Sequence, residues 1–541
     1  MKWQMATGLL VLLGVLQPAL GQQCPMMDHG KDKKDKVCQA APAKDEAVKS
    51  QGTLSGPGGR LAYEAIAGRL VLTREDLQGD ADEAAARDTP KGKPDDPMTS
   101  MFYVYYKSGQ NRPVTFLFNG GPGSASLWLH MGAFGPKRVV VKEGSHNPAA
   151  PYVLQDNPSS LLDASDLVFI DAPGTGFSKV QDPARAPDLF YNVDGDASAF
   201  AAFIARFLTK YALWNTPKYL FGESYGTLRA ALLAHMLQEK HSIDLNGVML
   251  LSQILSYANV AEFGQLLPSM DQGLVQALPT YAATAWYHRQ LKPMPADFDA
   301  FIKEVQHFAA SDYVQALWAG GSLAAADRER LAQKLHDYTG LSAEYFIKAG
   351  LRVTPGQFRQ QLLASAGNVA GRLDTRYAGP ALDPLAEEAE YDPMDQAIGA
   401  AYVAAFNEYA RKTLHFGGQE RFKPTAPLWR TWRFMHKPPG APHALPGADV
   451  LPDLATAMKQ NPTLRVQVHG GYFDLATPFA EALHEMDHLP IPESLRGNIS
   501  FHWYRSGHMI YLHEPALQEL HRHTAVFIGD ITENGINRTL S

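Results

Sequence analysis

Short apolar runs alternate with helical patterns along most of this 541-residue chain, and this alternation constrains the fold more than any other feature. Runs bounded by glycine, proline or aspartate are typical of parallel strands covered on both faces, with the helical stretches as crossovers. The predicted strands are Val114–Phe118, Leu167–Ile170, Tyr219–Phe221, Val248–Leu251, Leu464–Val468 and Ile499–Tyr504. The sequence therefore predicts an α/β fold with a mostly parallel central sheet.

The strand pattern fades between residues 256 and 445, where aromatic and alanine-rich helical stretches replace it. Because strands resume afterwards, an insertion is more economical than a separate domain of unrelated role. We expect a first part of the core over residues 56–255, a helical cap insertion over 256–445 and a second part of the core over 446–541. The stretch from Glu75 to Pro97 is expected to be a long acidic loop.

Residues 1–21 have the features of a secretory signal peptide. A basic residue precedes an apolar stretch from Met5 to Leu16, and small residues precede the expected cleavage site after Gly21. A membrane anchor is the alternative, but a spanning helix needs roughly 20 apolar residues. A lipoprotein signal at Cys24 fits less well, since Gln23 stands where a small residue is normally needed. We expect export to the periplasm or the medium, with no membrane span in the mature chain.

Residues 22–55 are polar and mixed in charge, which is typical of a disordered, solvated leader. The 2 cysteines, Cys24 and Cys38, lie in this leader, where they either pair with each other after export or stay as free thiols. The full chain is 45% hydrophobic, and its core must be held by burial alone. A net charge of -7 provides no basic field for phosphates, so nucleic acid is not an expected partner.

A glycine-flanked serine lies where a predicted strand becomes a helix. Gly222-Glu223-Ser224-Tyr225-Gly226 follows the apolar run Tyr219–Phe221, and Leu228, Leu232 and Met236 recur behind it at helical spacing. The bare pentapeptide is common by chance, but strand, tight turn and helix are the context of the nucleophile elbow in α/β-hydrolases. The pattern predicts an α/β-hydrolase fold that exposes the Ser224 hydroxyl at the end of the sheet.

A serine nucleophile needs a histidine base and an acid that orients the base. In this fold the chain order is serine, acid, histidine, and Asp474 and His508 each follow a predicted strand across glycine. They are 34 positions apart, which leaves room for one helix and one strand. We expect the catalytic triad Ser224, Asp474 and His508. The alternative bases are His469, His502 and His513.

The glycine-rich segment Asn119-Gly120-Gly121-Pro122-Gly123-Ser124 follows the first predicted strand. Glycines here let backbone amides approach a ligand closely. A phosphate loop is one interpretation, but the Lys-Ser or Lys-Thr ending is missing, and the position matches the loop that supplies one oxyanion-hole N–H in α/β-hydrolases. We expect the oxyanion hole to consist of the N–H groups of Gly121 and Tyr225.

His484-Glu485-Met486-Asp487-His488 has the spacing of a zinc-protease motif. Such a site needs a third protein ligand and an apolar wall, whereas Asp487 adds a charge and Pro490 ends the helix. A short surface-facing helix is the simpler interpretation. No metal or other cofactor is expected.

With these segments in place, the chain resembles the serine carboxypeptidase family from about Tyr63 to its C-terminus. The resemblance rests on the glycine-rich loop, the elbow, Asp171-Ala172-Pro173-Gly174-Thr175-Gly176-Phe177-Ser178 and Gly507-His508-Met509. It implies a serine-type carboxypeptidase that hydrolyses the C-terminal peptide bond of peptides through an acyl-enzyme on Ser224.

The resemblance further implies that Asn119, the Gly120 amide and Glu223 bind the free carboxylate of the substrate. Glu223 would be protonated, because a neutral carboxyl can donate a hydrogen bond to an anion. Many family members pair this glutamate with a second one, for which this chain has Ala133. We therefore expect a pH optimum less acidic than in relatives with both carboxyls.

Two further departures resemble the bacterial branch of the family. Ser124 stands where eukaryotic relatives often carry cysteine, and Thr227-Leu228-Arg229 replaces their usual Gly-His-Tyr. The fold and triad do not choose the leaving group, so an esterase or acyltransferase on the same scaffold is the alternative function. A non-enzymatic binding protein is the third class.

Overall fold

The computed structural model describes residues 44–56, 59–78, 93–258, 260–261 and 269–539. The expected signal peptide, Cys24, Cys38 and the leader as far as residue 43 lie outside the described residues.

In the described residues, a 10-stranded sheet forms the centre of the fold. Its strands are β1 (Glu46–Gly56), β2 (Gly59–Thr73), β3 (Pro97–Lys107), β4 (Val114–Phe118), β7 (Asp166–Ile170), β8 (Lys179–Val180), β9 (Lys218–Glu223), β10 (Gly247–Leu251), β15 (Arg465–Gly471) and β16 (Ile499–Tyr504). Short two-stranded sheets lie apart from this central sheet: β5 (Lys137–Val139) with β6 (Leu154–Asp156), β11 (Asn368–Ala370) with β12 (Ala378–Pro380), and β13 (Met435–His436) with β14 (Leu445–Pro446).

The sheet runs in the order β1-β2-β3-β7-β4-β9-β10-β15-β16, and β8 pairs with β3. From β7 onward all neighbouring strands are parallel, and these six strands coincide, within three residues at each end, with the six predicted apolar runs. Every residue of β4, β7 and β10 is buried, as expected for strands covered on both faces. The prediction of an α/β-hydrolase fold with a mostly parallel central sheet is confirmed.

The predicted disordered leader is wrong for its last residues, since residues 46–55 belong to β1. This strand pairs antiparallel with β2 along its whole length, from Glu46 opposite Arg69 to Gly56 opposite Gly59. Its side chains are mostly exposed, and Leu54 is the buried exception. A polar edge strand is held by main-chain hydrogen bonds rather than by apolar burial, so its composition resembles that of a disordered segment. The core therefore begins at residue 46 rather than at 56.

The predicted acidic loop is also shorter than expected. Residues Arg74–Gln78 form helix α1, and β3 begins at Pro97. Residues 79–92 of this stretch lie outside the described part of the chain. The antiparallel strands β1 to β3 were not among the predicted strands.

Helices cover both faces of the sheet. One face packs against α3, α4 and α12, and the other against α11 and α15. In the described part of the chain, every helix is too short or too polar to cross a membrane. The remaining helix bounds are α2 (Ala186–Leu189), α3 (Val193–Lys210), α4 (Tyr225–His241), α5 (Gln272–Tyr287), α6 (Phe298–Phe308), α7 (Val314–Ala319), α8 (Ala325–Thr339), α9 (Ala343–Lys348), α10 (Pro355–Leu362), α11 (Pro393–Lys412), α12 (Leu451–Gln460), α13 (Phe479–Asp487), α14 (Glu493–Arg496) and α15 (Glu514–Thr539).

Between β10 and β15 the chain leaves the sheet, and this stretch contains helices α5 to α12. Helices α5 to α10 form an apolar cluster of their own, which also takes in Phe473, Leu475 and Phe479 from beyond β15. Helix α11 differs, because its side chains pack in the same core as β3, β7 and β9. The stretch predicted as one cap thus contributes both a helical layer of its own and part of the core of the sheet.

Candidate active site

Ser224 lies in the turn between β9 and α4, with φ 60° and ψ -131°. A left-handed backbone is strained for a residue with a side chain and persists only where its surroundings hold it. A Cβ on Gly222 would lie 2.1 Å from the Gly226 carbonyl oxygen, and one on Gly226 would lie 2.8 Å from the Phe118 oxygen. Both flanking positions thus require glycine, and the turn has the geometry of a nucleophile elbow.

The glycine-rich loop lies directly against this elbow. It follows β4, the neighbour of β9, and Gly120 contacts the start of α4 so closely that a Cβ there would lie 2.4 Å from the Tyr225 nitrogen. Gly121 and Gly123 have φ of 109° and 101°, which favours glycine at both. The backbone of the loop and the elbow therefore form one wall of the site.

Asp474 and His508 lie beyond the carboxyl ends of the adjacent parallel strands β15 and β16. The Asp474 Oδ2 atom is 2.7 Å from His508 Nδ1, and both side chains are buried. Asp474 is held from behind, since its Oδ1 accepts hydrogen bonds from the amides of Ala476 and Thr477 and its Oδ2 accepts one from the Thr477 hydroxyl. A carboxylate acceptor at Nδ1 favours the tautomer that leaves Nε2 as the base.

Asp474 dominates the electrostatics of His508. Burial by itself lowers the pKa of this imidazole, but the charge and the hydrogen bond of Asp474 outweigh burial, and the pKa is raised above its usual value. A raised pKa means that the ring is a stronger base and holds a proton more readily when one is delivered to it. This suits a group that must accept a proton and return it later.

One cleft of about 230 Å³ contains the predicted site. Its lining includes Ser224 and His508 together with the predicted ligands of the substrate carboxylate and the Gly121 backbone. Asp474 lies behind His508, and Tyr225 directly follows the serine. The structure thus brings together all of the residues predicted for the site: Ser224, Asp474, His508, Gly121, Tyr225, Asn119, Gly120 and Glu223.

Glu223 is the last residue of β9 and is buried at the floor of this cleft. Burial raises the pKa of its carboxyl to about 7, against a lowering by the nearby His508. The Tyr511 hydroxyl donates to its Oε2 at 2.9 Å, and the Asn119 side chain also hydrogen-bonds to it. With a pKa of about 7, the carboxyl is mostly protonated in acid and can then act as a donor.

Tyr511 is a site residue that the sequence analysis missed. It lies in a single turn after His508, and its ring packs against Gly132, where a Cβ would lie 2.6 Å from it. The neighbouring Ala133, at the position of the second glutamate in many relatives, is fully buried. A tyrosine hydroxyl thus contacts Glu223 in a chain that lacks the second carboxyl, and nothing in the local sequence signals this contact.

A segment of the insertion, residues 372–376, binds the loops that carry the acid and the histidine. The Leu373 carbonyl accepts a hydrogen bond from the His508 amide at 2.7 Å. The Arg372 carbonyl accepts one from the Leu475 amide at 3.1 Å, and the Thr375 amide donates to the Phe473 carbonyl at 2.9 Å. We call residues 372–376 the strap, because they join two loops that belong to different strands.

The strap is itself fixed by a buried ion pair. Arg376 donates to both carboxylate oxygens of Asp374 and also to the Ser506 hydroxyl. Asp374 packs against Gly507 so closely that a Cβ on that glycine would lie 2.4 Å from the aspartate Cβ. The residue before His508 must therefore be glycine, and the strap determines where the histidine loop lies.

The zinc-like motif has a different role in the structure. Glu485 is buried and accepts hydrogen bonds from the amides of Leu255 and Ser256 and from the Gln253 side chain. It holds the chain that leaves β10. Within the described ranges, no group of three or more histidine, cysteine, aspartate or glutamate side chains is arranged to hold a metal ion.

The alternative histidines lie away from the serine. His469 is buried in β15, where its ring hydrogen-bonds to Tyr504 and Gln467. His502 is 5.3 Å from it, measured between ring centroids, and His513 pairs with Glu143. Among these residues and His508, it is His508 that lines the cleft with Ser224.

An α/β-hydrolase fold with a serine elbow and a buried histidine–aspartate pair defines a serine hydrolase scaffold. Comparison with known proteins narrows this class. The model of the serine carboxypeptidase family matches residues 93–281. This segment includes the glycine-rich loop and the elbow. Over this segment the chain is similar to the serine carboxypeptidase family.

Individual relatives are distant. Serine carboxypeptidase-like 35 of Arabidopsis thaliana is 25% identical over 184 residues, which cover 30% of this chain and 35% of the relative. The pheromone-processing carboxypeptidase of Yarrowia lipolytica is 28% identical over 168 residues, covering 30% of this chain and 25% of the relative. A carboxypeptidase Y homolog of Arthroderma benhamiae is 26% identical over 191 residues, covering 34% and 35%. The chain thus spans about a third or less of the length of these curated relatives.

Proposed function

We propose that this protein is a serine-type carboxypeptidase that removes the C-terminal residue of peptides. The observation that carries the proposal is Glu223, a buried carboxyl with a pKa of about 7 beside the nucleophile and next to Asn119. A neutral carboxyl and an amide are donors suited to a carboxylate. This pair of donors favours a carboxypeptidase over an esterase for uncharged substrates.

In acylation, the Ser224 hydroxyl attacks the scissile carbonyl while His508 Nε2 takes its proton. The N–H groups of Gly121 and Tyr225 hold the oxyanion, and Asp474 stabilises the imidazolium. The imidazolium then protonates the leaving nitrogen, the C–N bond breaks, and the C-terminal amino acid departs. The acyl-enzyme on Ser224 remains.

In deacylation, His508 removes a proton from water, which attacks the ester carbon. The same two amides hold the second oxyanion, and the proton returns to the Ser224 oxygen as the shortened peptide leaves. Before cleavage, the substrate carboxylate is bound by Asn119, the Gly120 N–H and Glu223. This ligand set selects the last peptide bond over internal ones.

The test compares a blocked dipeptide with a free C-terminus and the same dipeptide as its C-terminal amide. We expect the free acid to be cleaved with a much higher kcat/KM below pH 7, and Ser224→Ala to abolish turnover of both without altering the circular dichroism spectrum. Ser322→Ala, on the surface of the insertion, is the matched control. Equal kcat/KM for acid and amide would favour an esterase or acyltransferase instead, and lack of labelling of Ser224 by a fluorophosphonate would favour a binding protein.

We also propose that the protein is exported, on the evidence of the basic and apolar residues 1–21. Together with Ser124, Ala133 and Thr227-Leu228-Arg229, this leader supports the bacterial branch of the family, with peptides in the periplasm or medium as substrates. Mass spectrometry of the secreted chain should find its N-terminus at Gln22. An N-terminus at Met1 in the exported fraction would contradict the proposal.

A further inference from the structure

A fully buried cation lies beneath the glycine-rich loop. Arg229 is in the second turn of α4, and its side chain has 0% exposed surface. It belongs to the Thr227-Leu228-Arg229 segment, in which this chain departs from the Gly-His-Tyr of many relatives. A buried guanidinium is costly unless it is paired and its donors are used, so its partners show what it holds in place.

The first partner is a carboxylate on a neighbouring helix. Arg229 Nε donates to Asp196 Oδ2 at 2.7 Å and Nη2 donates to Asp196 Oδ1 at 3.1 Å, which is a bidentate pair between α4 and α3. The guanidinium also lies over the Phe200 ring, 4.3 Å from its centroid. These contacts fix the plane of the guanidinium and direct the remaining nitrogen, Nη1.

The second partner is the backbone of the site. Arg229 Nη1 donates to the carbonyl oxygen of Asn119 at 2.7 Å. The Asn119–Gly120 peptide is not among the cis bonds, and in a planar trans peptide the C=O and the N–H point in opposite directions. Holding the Asn119 carbonyl on the Arg229 side therefore directs the Gly120 N–H away from Arg229.

We infer that Arg229 is a positioning residue for the Gly120 N–H, and that it thereby sets the affinity for the terminal carboxylate of the substrate. The inference rests on the proposed function, because it concerns the group that this N–H binds. Arg229 itself does not touch the substrate. Its effect passes through one rigid peptide plane and concerns recognition of the carboxylate more than attack on the carbonyl.

The experiment uses two substrates that form the same acyl-enzyme: a blocked dipeptide with a free C-terminus, and an ethyl ester of the same acyl group without the terminal carboxylate. Arg229→Lys keeps the charge but cannot bind both oxygens of Asp196 and also reach Asn119 with a fixed plane. We expect KM for the free acid to rise about tenfold, as for a lost orienting hydrogen bond, with kcat/KM for the ester unchanged. Rates are taken per serine titrated with a fluorophosphonate.

Arg229→Met combined with Asp196→Asn removes both buried charges and should show the same selective rise in KM, which covers the case in which the lysine variant folds poorly. Arg112→Lys is the matched control, since Arg112 pairs with Asp166 at the opposite ends of β4 and β7. An equal loss with acid and ester, or no loss with either, would overturn the inference. If the wild-type protein itself does not prefer the free acid to the amide, the proposed function fails instead.

Discussion

The two sides of the cleft are held by different kinds of contact. The nucleophile side, residues 114–124 and 218–229, consists of two neighbouring strands and the turns that follow them, in main-chain contact at glycines. The base side, residues 471–477 and 504–511, consists of two loops whose positions depend on the strap, residues 372–376. The strap lies roughly a hundred residues or more from either loop along the chain.

This difference explains what the comparisons detect. The family match covers residues 93–281, which include the whole nucleophile side and none of the base side or the strap. A turn that needs glycine at fixed spacing tolerates few substitutions, because an added Cβ meets backbone. The base side has such a position at Gly507, but the hydrogen bonds between its loops and the strap use backbone groups, which accept many side chains.

The largest effect should come from the acid on the base side. Asp474→Asn places an amide against His508 Nδ1 and favours the wrong tautomer of the ring, so we expect kcat to fall by about 10⁴-fold. Asp453→Asn is the control, because Asp453 makes a buried contact with His436 at 2.8 Å and does not line the cleft, and it should leave kcat unchanged. Similar kcat losses in both variants would mean that the role of Asp474 is general stability.

On the nucleophile side, Gly120→Ala should displace the glycine-rich loop, since the new Cβ would lie 2.4 Å from the Tyr225 nitrogen. Displacing the loop would move the Gly121 N–H, one of the two proposed oxyanion donors. We therefore expect kcat/KM to fall by about 10²- to 10³-fold. Gly497→Ala has nothing within 4 Å of the new Cβ and should be neutral. Near wild-type turnover in Gly120→Ala would show that the two turns do not depend on each other.

A change in the strap tests the base side from a distance. Arg376→Met leaves the buried Asp374 carboxylate unpaired, so we expect the free energy of unfolding to drop by about 3 kcal/mol. We expect kcat to fall only about tenfold, as the Leu373 carbonyl still holds the His508 amide. Chemical denaturation and kcat per titrated serine measure the two effects. If stability falls and kcat is unaffected, the strap does not position the histidine.

The smallest effect is a shift in pH dependence. Glu223 donates to the substrate carboxylate only while protonated, so kcat/KM for free-acid peptides should decline as the pH rises through about 7. Glu223→Gln keeps a donor at every pH, so this decline should be lost. Burial also raises the pKa of Glu485, which does not line the cleft, so Glu485→Gln is the matched control. A wild-type profile that peaks sharply in acid and collapses near neutrality would contradict the raised optimum predicted from Ala133.

The sequence predicted those elements in which burial or backbone geometry restricts the residue types of a short segment. Five of the six parallel strands were predicted because strands buried on both faces must be apolar, and the elbow because Gly222 and Gly226 have no room for a side chain. The edge strand β1 was missed, since a strand held by main-chain hydrogen bonds on one side can be polar throughout. The packing of α11 in the core of the sheet was also missed, because no local pattern in the sequence indicates it.

The sequence by itself determined the α/β architecture, the turn that presents Ser224 and the glycine-rich loop beside it. Chain order and position after a predicted strand favoured His508 among 19 histidines, with His469, His502 and His513 as alternatives. Only the tertiary structure decided that Tyr511 contacts Glu223, that the strap binds both base-side loops and that Arg229 holds the Asn119 carbonyl. The physical reason is that steric limits act between residues close in sequence, whereas the partners of a buried polar group are chosen by whichever distant segments the fold brings within hydrogen-bond distance.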